Sequence, residues 1–168
     1  MKPIASTESS LPQVSIGWRE WVALPQLGVD HVKVKIDTGA RTSALHAVAV
    51  EYFDEAGVAM VCFKVHPIQR DMSTVVSATA PLLEKRQIRN SGGQVQERPV
   101  IRTVLSLGKY QWDIELTLTN RDVMGFRMLL GREAVRRRFL VDPGGSYLMS
   151  KASRALLPSE EVDEPDLP

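Results

Sequence analysis

The sequence is poor in several features that usually announce a function. It has one cysteine, Cys62, which excludes an internal disulfide and leaves no Cys-rich zinc site. No apolar run approaches the roughly 18–20 residues of a membrane span, and the opening MKPIASTESSLPQ has a lysine but no apolar core of a signal peptide. A cytoplasmic protein with no membrane partner is therefore expected. The three histidines, His31, His46 and His66, nowhere form His-Glu-x-x-His, and neither Gly92-Gly93 nor Gly144-Gly145 belongs to a Gly-x-x-x-x-Gly-Lys-Ser/Thr phosphate cradle. Neither a metal nor a nucleotide or other cofactor is expected. The basic run Arg136-Arg137-Arg138, with Arg132 before it, has no interleaved aromatics and reads as a solvated helix face, not as a nucleic-acid surface.

What remains is one ordinary domain. The chain has 168 residues, 43% of them hydrophobic, close to the usual size of a single globular domain. Its net charge of +1 is unevenly spread: from Pro158 onward there are five acids and no base, so the preceding residues carry +6. A flexible N-terminal tail is expected over 1–14, the domain over 15–152, and an acidic, disordered tail over 153–168.

Inside the domain the dominant period is two. Val32, Val34 and Ile36 alternate with Lys33 and Lys35, and Ile114, Leu116 and Leu118 alternate with Glu115, Thr117 and Thr119. Such alternation predicts half-buried strands. Further strands are predicted over Ala47–Phe53, Ala59–Val65, Val100–Leu107 and Tyr147–Met149, with turns at Asp54–Gly57, Gly108 and Pro143-Gly144-Gly145. Frequent turns between short strands point to an all-β barrel or sandwich. One short amphipathic helix is predicted from Gly131 to Phe139, with Val135 and Phe139 on one face. Residues 85–95 read as a long exposed hairpin centred on Asn90 to Gly93.

The stretch that carries chemistry is Val32 to Ala40, an alternating strand that ends in Asp37-Thr38-Gly39-Ala40. An acid at the end of a buried strand has two readings. Asp37 can begin an Asx-type turn, with Gly39 supplying a positive φ. Alternatively the carboxylate approaches a second carboxylate, and the small residues after it leave room for backbone, partner and substrate. A second signal bears on the choice: Leu129-Leu130-Gly131, an apolar pair and a glycine leading into the predicted helix, with Gly131 94 positions beyond Asp37.

Together the two motifs resemble the retropepsin-like aspartic peptidases. In that family an Asp-Thr/Ser-Gly-Ala loop is supported by a later apolar-apolar-Gly segment that crosses beneath it and opens a short helix. The longer run Lys35 to Ala47, with Glu97-Arg98-Pro99-Val100, resembles a bacterial branch often labelled ATP-dependent zinc proteases and associated by gene context with RimK-type ATP-grasp glutamate ligases. The resemblance implies a closed acid-protease β-barrel with one short C-terminal helix. It also implies a catalytic Asp37 and an active-site loop of Thr38, Gly39 and Ala40, supported by Leu129, Leu130 and Gly131. Thr38 would hydrogen-bond across a dimer axis, and Arg89, Asn90, Ser91, Gly92 and Gly93 would form a flap over a peptide. Arg41 stands where an acidic residue is familiar in the viral pattern, and the interval between the motifs is longer, so residues 47–85 are expected to be extra strands or a lid.

Only one Asp-Thr-Gly is present, because Asp30, Asp54, Asp71, Asp113, Asp122 and Asp142 lack the Thr-Gly sequel. A two-carboxylate mechanism then requires a second copy of the chain, so the expected partners are a C2 homodimer and a protein or peptide substrate. Two rivals stand beside this aspartic endopeptidase. One is a metal-dependent hydrolase in which the histidines meet Asp37 or Cys62 in space. The other is a non-catalytic regulatory or binding module acting with a RimK-type ligase system. His46 and His66 are expected to be satisfied barrel histidines, and Cys62 a small buried hydrophobe.

Overall fold

The computed structural model describes residues 14–90, 92–120 and 125–150; the expected tails, apart from Val14, and Ser91 lie outside that set. The chain is mostly strand and closes into a six-stranded barrel. Strand β1 (Ser15–Leu24) leads through a 3-10 turn into β2 (Val29–Asp37), and β3 (Ser43–His46) follows the Asp37 loop. The barrel is completed by β8 (Val95–Leu107), β9 (Tyr110–Thr119) and β10 (Met128–Gly131). Its circuit runs β1-β2-β10-β3-β9-β8 and returns to β1 through the Ala23–Ser106 pair.

Alternation drives this assembly. Val32, Val34 and Ile36 of β2, and Ile114, Leu116 and Leu118 of β9, are all buried in one continuous core with Leu45, Ile101, Leu105, Met128 and Leu130. Burying each such side chain is worth about 1.5–3 kcal/mol. Three interleaved polar residues depart from the pattern: Thr117 and Thr119 of β9 are buried, and Lys33 is only 5% exposed, its Nζ lying 5.9 Å from the Trp21 ring centre and 5.6 Å from that of Phe126. Aromatic faces cover the lysine stem and attract its charge.

Residues 47–85 are mainly extra strands. Strands β4 (Val48–Glu55), β5 (Val58–Val65) and β6 (Val76–Pro81) form a separate antiparallel sheet. The turn between β4 and β5 carries positive φ at Ala56 and Gly57, the twist that a two-residue hairpin requires. Val61, Phe63, Val65, Ala78 and Ala80 face the barrel core, whereas Tyr52, Phe53 and Val58 stay exposed. Strand β7 (Glu84–Arg89) then pairs with β8 along Glu84–Val100 to Arg89–Val95, making the hairpin expected over 85–95.

Three expectations near the C-terminal end are corrected. Helix α1 spans only Arg132–Val135; Arg136 is extended and Arg137 has a φ of +64°. The turn lets Phe139 swing into the core beside Tyr110 and Trp112, with ring centres 5.3 and 5.4 Å away, so tertiary packing ends the helix before its sequence pattern does. The last strand is β11 (Leu140–Ser146), not Tyr147–Met149. Pro143-Gly144-Gly145, expected as a turn, lies inside it. β11 is an edge strand parallel to β1, where a proline is tolerated and where a Cβ on Gly17 would run into the Gly145 carbonyl.

Candidate active site

The site is built around a crossing of three segments. β10 lies between β2 and β3, which are consecutive in the chain. It runs parallel to β2, pairing Leu129 with Lys35, Leu130 with Ile36 and Gly131 with Asp37, and antiparallel to β3, pairing Leu129 with Ala44. The loop from Thr38 to Thr42 must therefore pass around the end of β10. Gly131 permits it: a Cβ there would stand 2.6 Å from the Thr42 carbonyl carbon and 2.8 Å from the Arg41 oxygen. No side chain fits such a backbone approach.

Hydrogen bonds fasten the loop to the same crossing. The Gly131 N–H donates to Ser43 Oγ (3.0 Å), the Arg132 N–H to the Ala40 carbonyl (2.7 Å) and the Glu133 N–H to the Arg41 carbonyl (3.1 Å). The Arg132 guanidinium also donates to the Thr38 carbonyl at 3.2 Å. The donors left over at the opening of α1 are thus satisfied by the Asp37 loop itself. Trp112 Nε1 reaches the Ala134 carbonyl at 3.0 Å and ties α1 to β9.

Asp37 sits at the end of β2, partly exposed. Its Oδ1 accepts the N–H of Gly39 (3.0 Å) and of Ala40 (3.2 Å), while Oδ2 has no partner among the described residues. One carboxylate oxygen is thus oriented by the loop backbone. Gly39 does not have the positive φ of the simple turn reading. Its lack of a side chain instead matters beside the carboxylate, since a Cβ would lie 3.3 Å from Asp37 Oδ1. Thr38 and Gly39 are exposed and Ala40 is half-buried, whereas Leu129, Leu130 and Gly131 are all buried.

Beside the loop lies a polar cavity of about 440 Å³, lined by Arg41, Ser43, Arg86, Glu115, Glu133 and Arg138 among others. Arg86 bonds Glu84 and, at 3.0 Å, Glu115 on β9, so an ion triad holds the base of the β7–β8 hairpin against the barrel. At the hairpin tip the Asn90 N–H donates to the Gln94 carbonyl (2.8 Å), the Gly93 N–H to the Asn90 carbonyl (3.0 Å) and the Gln94 N–H to Asn90 Oδ1 (2.9 Å). Gly93 takes a φ of +80° there. Arg89, Asn90, Gly92 and Gly93 are therefore together at one tip.

This geometry and the sequence match a known family. A family model described as the retropepsin-like aspartic endopeptidase RimB covers residues 15–152. The chain belongs to the RimB-like family. Among curated relatives, a probable alpha-L-glutamate ligase of Desulfotalea psychrophila is 48% identical over 142 residues, 84% of this chain and 31% of that protein. One of Parasynechococcus marenigrum, under the same name, is 49% identical over 80% of this chain and 29% of its own. The chain thus spans under a third of the length of these relatives. Among solved structures, protein Lpg0085 of Legionella pneumophila, described as of unknown function, superposes with a TM-score of 0.66 at 26% identity, over 82% of this chain and 98% of that one.

Within this RimB-like chain His46 stands apart from Asp37. The His46 N–H donates to the Arg127 carbonyl at the start of β10, whereas Asp37 pairs with Gly131 at its end, roughly 10–13 Å away at ~3.3 Å per residue. His66 is buried, but its Nδ1 has no hydrogen-bond partner among the described residues, so the expectation of a satisfied histidine is not met there. Cys62 is half-buried, paired with Glu51 and Thr79, and not a core residue. Among the described residues no group of three or more His, Cys, Asp or Glu is placed to hold a metal ion. The residue that the sequence reading missed is Ser43, whose hydroxyl joins β10 to the loop. Its only signal was a small hydroxyl residue between the loop and a buried strand.

Proposed function

We propose that this RimB-like chain is an aspartic endopeptidase that hydrolyses peptide bonds with water activated between two Asp37 carboxylates, one from each copy of a C2 homodimer. The observation that carries the reading is the Asp37 carboxylate itself: Oδ1 is held by two loop amides, Oδ2 has no partner among the described residues, and the loop is clamped over β10. Two carboxylates ~3 Å apart cannot both ionise, so they share a proton. The ionised partner takes a proton from water while the protonated one donates to the scissile amide, and their titration belongs to the pair.

Thr38, exposed beside Asp37, joins the two loops across the dimer axis, and Gly39 leaves room for the substrate backbone. The β7–β8 tip, Arg89 to Gly93, is the flap that closes over an extended peptide and excludes surplus water. The names of the relatives, probable alpha-L-glutamate ligases, support a functional link to a RimK-type ATP-grasp ligase. They also favour the second reading, a non-catalytic module regulating such a ligase.

Asp37→Asn assayed on an unbiased peptide library, with and without chelator, separates the three readings. The endopeptidase loses at least about a thousandfold in rate and ignores the chelator. Equal cleavage by the variant, or activity lost to chelator and restored by zinc, overturns it. A ligase response that survives Asp37→Asn favours the module. In solution the active species has twice the chain mass, and a strictly monomeric protein that turns over contradicts the shared dyad.

A further inference from the structure

We infer that Ser43 is a positioning residue for this site, setting the height of the Asp37 loop through the Gly131 amide. The inference rests on the endopeptidase reading for its kinetic consequence but not for its structural one. The β3–β10 ladder runs from Met128–Leu45 to Leu129–Ala44, and beyond it the chain turns away into the loop. The buried Gly131 N–H is left without a backbone acceptor on that side, and Ser43 Oγ takes it at 3.0 Å. Ser43 is itself only 2% exposed and is doubly fixed. Its backbone pairs with Leu116 of β9, and its carbonyl accepts the Thr117 hydroxyl at 3.0 Å from a residue only 1% exposed.

A rigid barrel strand therefore holds a hydroxyl that holds the end of β10. The next two amides of the same segment, Arg132 and Glu133, hold the Ala40 and Arg41 carbonyls. Asp37 Oδ1 is oriented by the amides of Gly39 and Ala40, so the chain of contacts runs from β9 through Ser43 and Gly131 to the carboxylate. A single unsatisfied buried donor lets this chain shift, and displacement of about 1 Å in a catalytic group can cost a hundredfold in rate. Removing the hydroxyl should act on turnover, because it moves the reacting group and leaves the surfaces that bind substrate in place.

The test compares Ser43→Ala and Ser43→Thr in the full chain by two readouts. Amide hydrogen exchange at Gly131 and residues 38–42 reads the contact, and steady-state cleavage of the peptide that the wild type cuts best reads its consequence. In Ser43→Ala the Gly131 amide exchanges at least about tenfold faster, kcat falls about ten- to a hundredfold, KM stays within about twofold, and the pH at half-maximal kcat moves. Ser43→Thr, which keeps the hydroxyl, restores both readouts toward wild type. Should Ser43→Ala fail to fold, Thr117→Val, which removes only the donor to the Ser43 carbonyl, gives the same changes at smaller size. Unaltered Gly131 exchange, or a kcat that stays at the wild-type value while exchange accelerates, overturns the inference. A wild type that cuts no peptide defeats the endopeptidase reading alone, and the exchange data still decide the contact.

Discussion

The β2–β10–β3 seam and the β4–β5–β6 sheet are both sets of three neighbouring strands, yet they are built under different rules. In the seam Leu129 and Leu130 are buried although they are neighbours in sequence, so both faces of β10 are covered. In the three-stranded sheet only one face is: Phe63 is 2% exposed, while Phe53 of the adjacent strand is 40% exposed. A strand enclosed on both faces has no solvent-side tolerance, and a half-covered one does. Precision near Asp37 is thus obtained by enclosure, and the added sheet shields one flank of the barrel without such constraint.

Substitutions that sort the two regions make this difference measurable. The largest effect is expected for Gly131→Ala, whose new Cβ meets backbone on the Asp37 loop; denaturant unfolding should show a loss of about 3 kcal/mol or more, or no cooperative transition. Leu130→Ala and Phe63→Ala come next, each costing roughly 2–5 kcal/mol because each empties a fully packed position, whereas Phe53→Ala on the open face costs under about 1 kcal/mol. A Phe53→Ala loss equal to that of Phe63→Ala would show that the outer face is covered by something.

Glu115→Gln removes one carboxylate from Arg86, which is 29% exposed, so the cost is at most about 1 kcal/mol and shrinks in salt. Faster amide exchange along β7 would read the loosened hairpin base. The smallest effect belongs to Asp71, in the connection between β5 and β6. Hydrogen bonds from the Ser73 and Thr74 hydroxyls and then the Ser73 amide favour its ionised form and hold its pKa at about 2. Since that lies below the unfolded value of roughly 3.9, its stabilisation is present above the latter and is lost as pH falls through the former. An NMR titration should show local shifts at Ser73 near pH 2 with the barrel signals unmoved; a midpoint near 4 would contradict it.

Much of the barrel was legible because its signal is local. Val32 to Ile36 and Ile114 to Leu118 alternate in the sequence as they do in space, and the turns at Ala56-Gly57 and Gly108 carry the positive φ that their composition suggests. What was hidden depends on distant partners. Pro143-Gly144-Gly145 reads as a turn until β1 lies beside it, Lys33 as a solvated side chain until Trp21 and Phe126 cover it, and residues 136–139 as helix until Phe139 finds Trp112. At the site, Asp37 and Gly131 were legible as motifs, and Ser43 was not, since a hydroxyl has no signature until its acceptor role is seen.

The position of β10 between two earlier strands has a consequence for how the molecule is made. Strands β2 and β3 emerge early during synthesis, but the segment that separates them is made about ninety residues later. Until Met128 to Gly131 arrive, there is nothing for the Asp37 loop to wrap around, and contacts this distant in sequence form late and slowly. A nascent chain therefore carries Asp37 long before it carries the strand that gives the loop after it a shape.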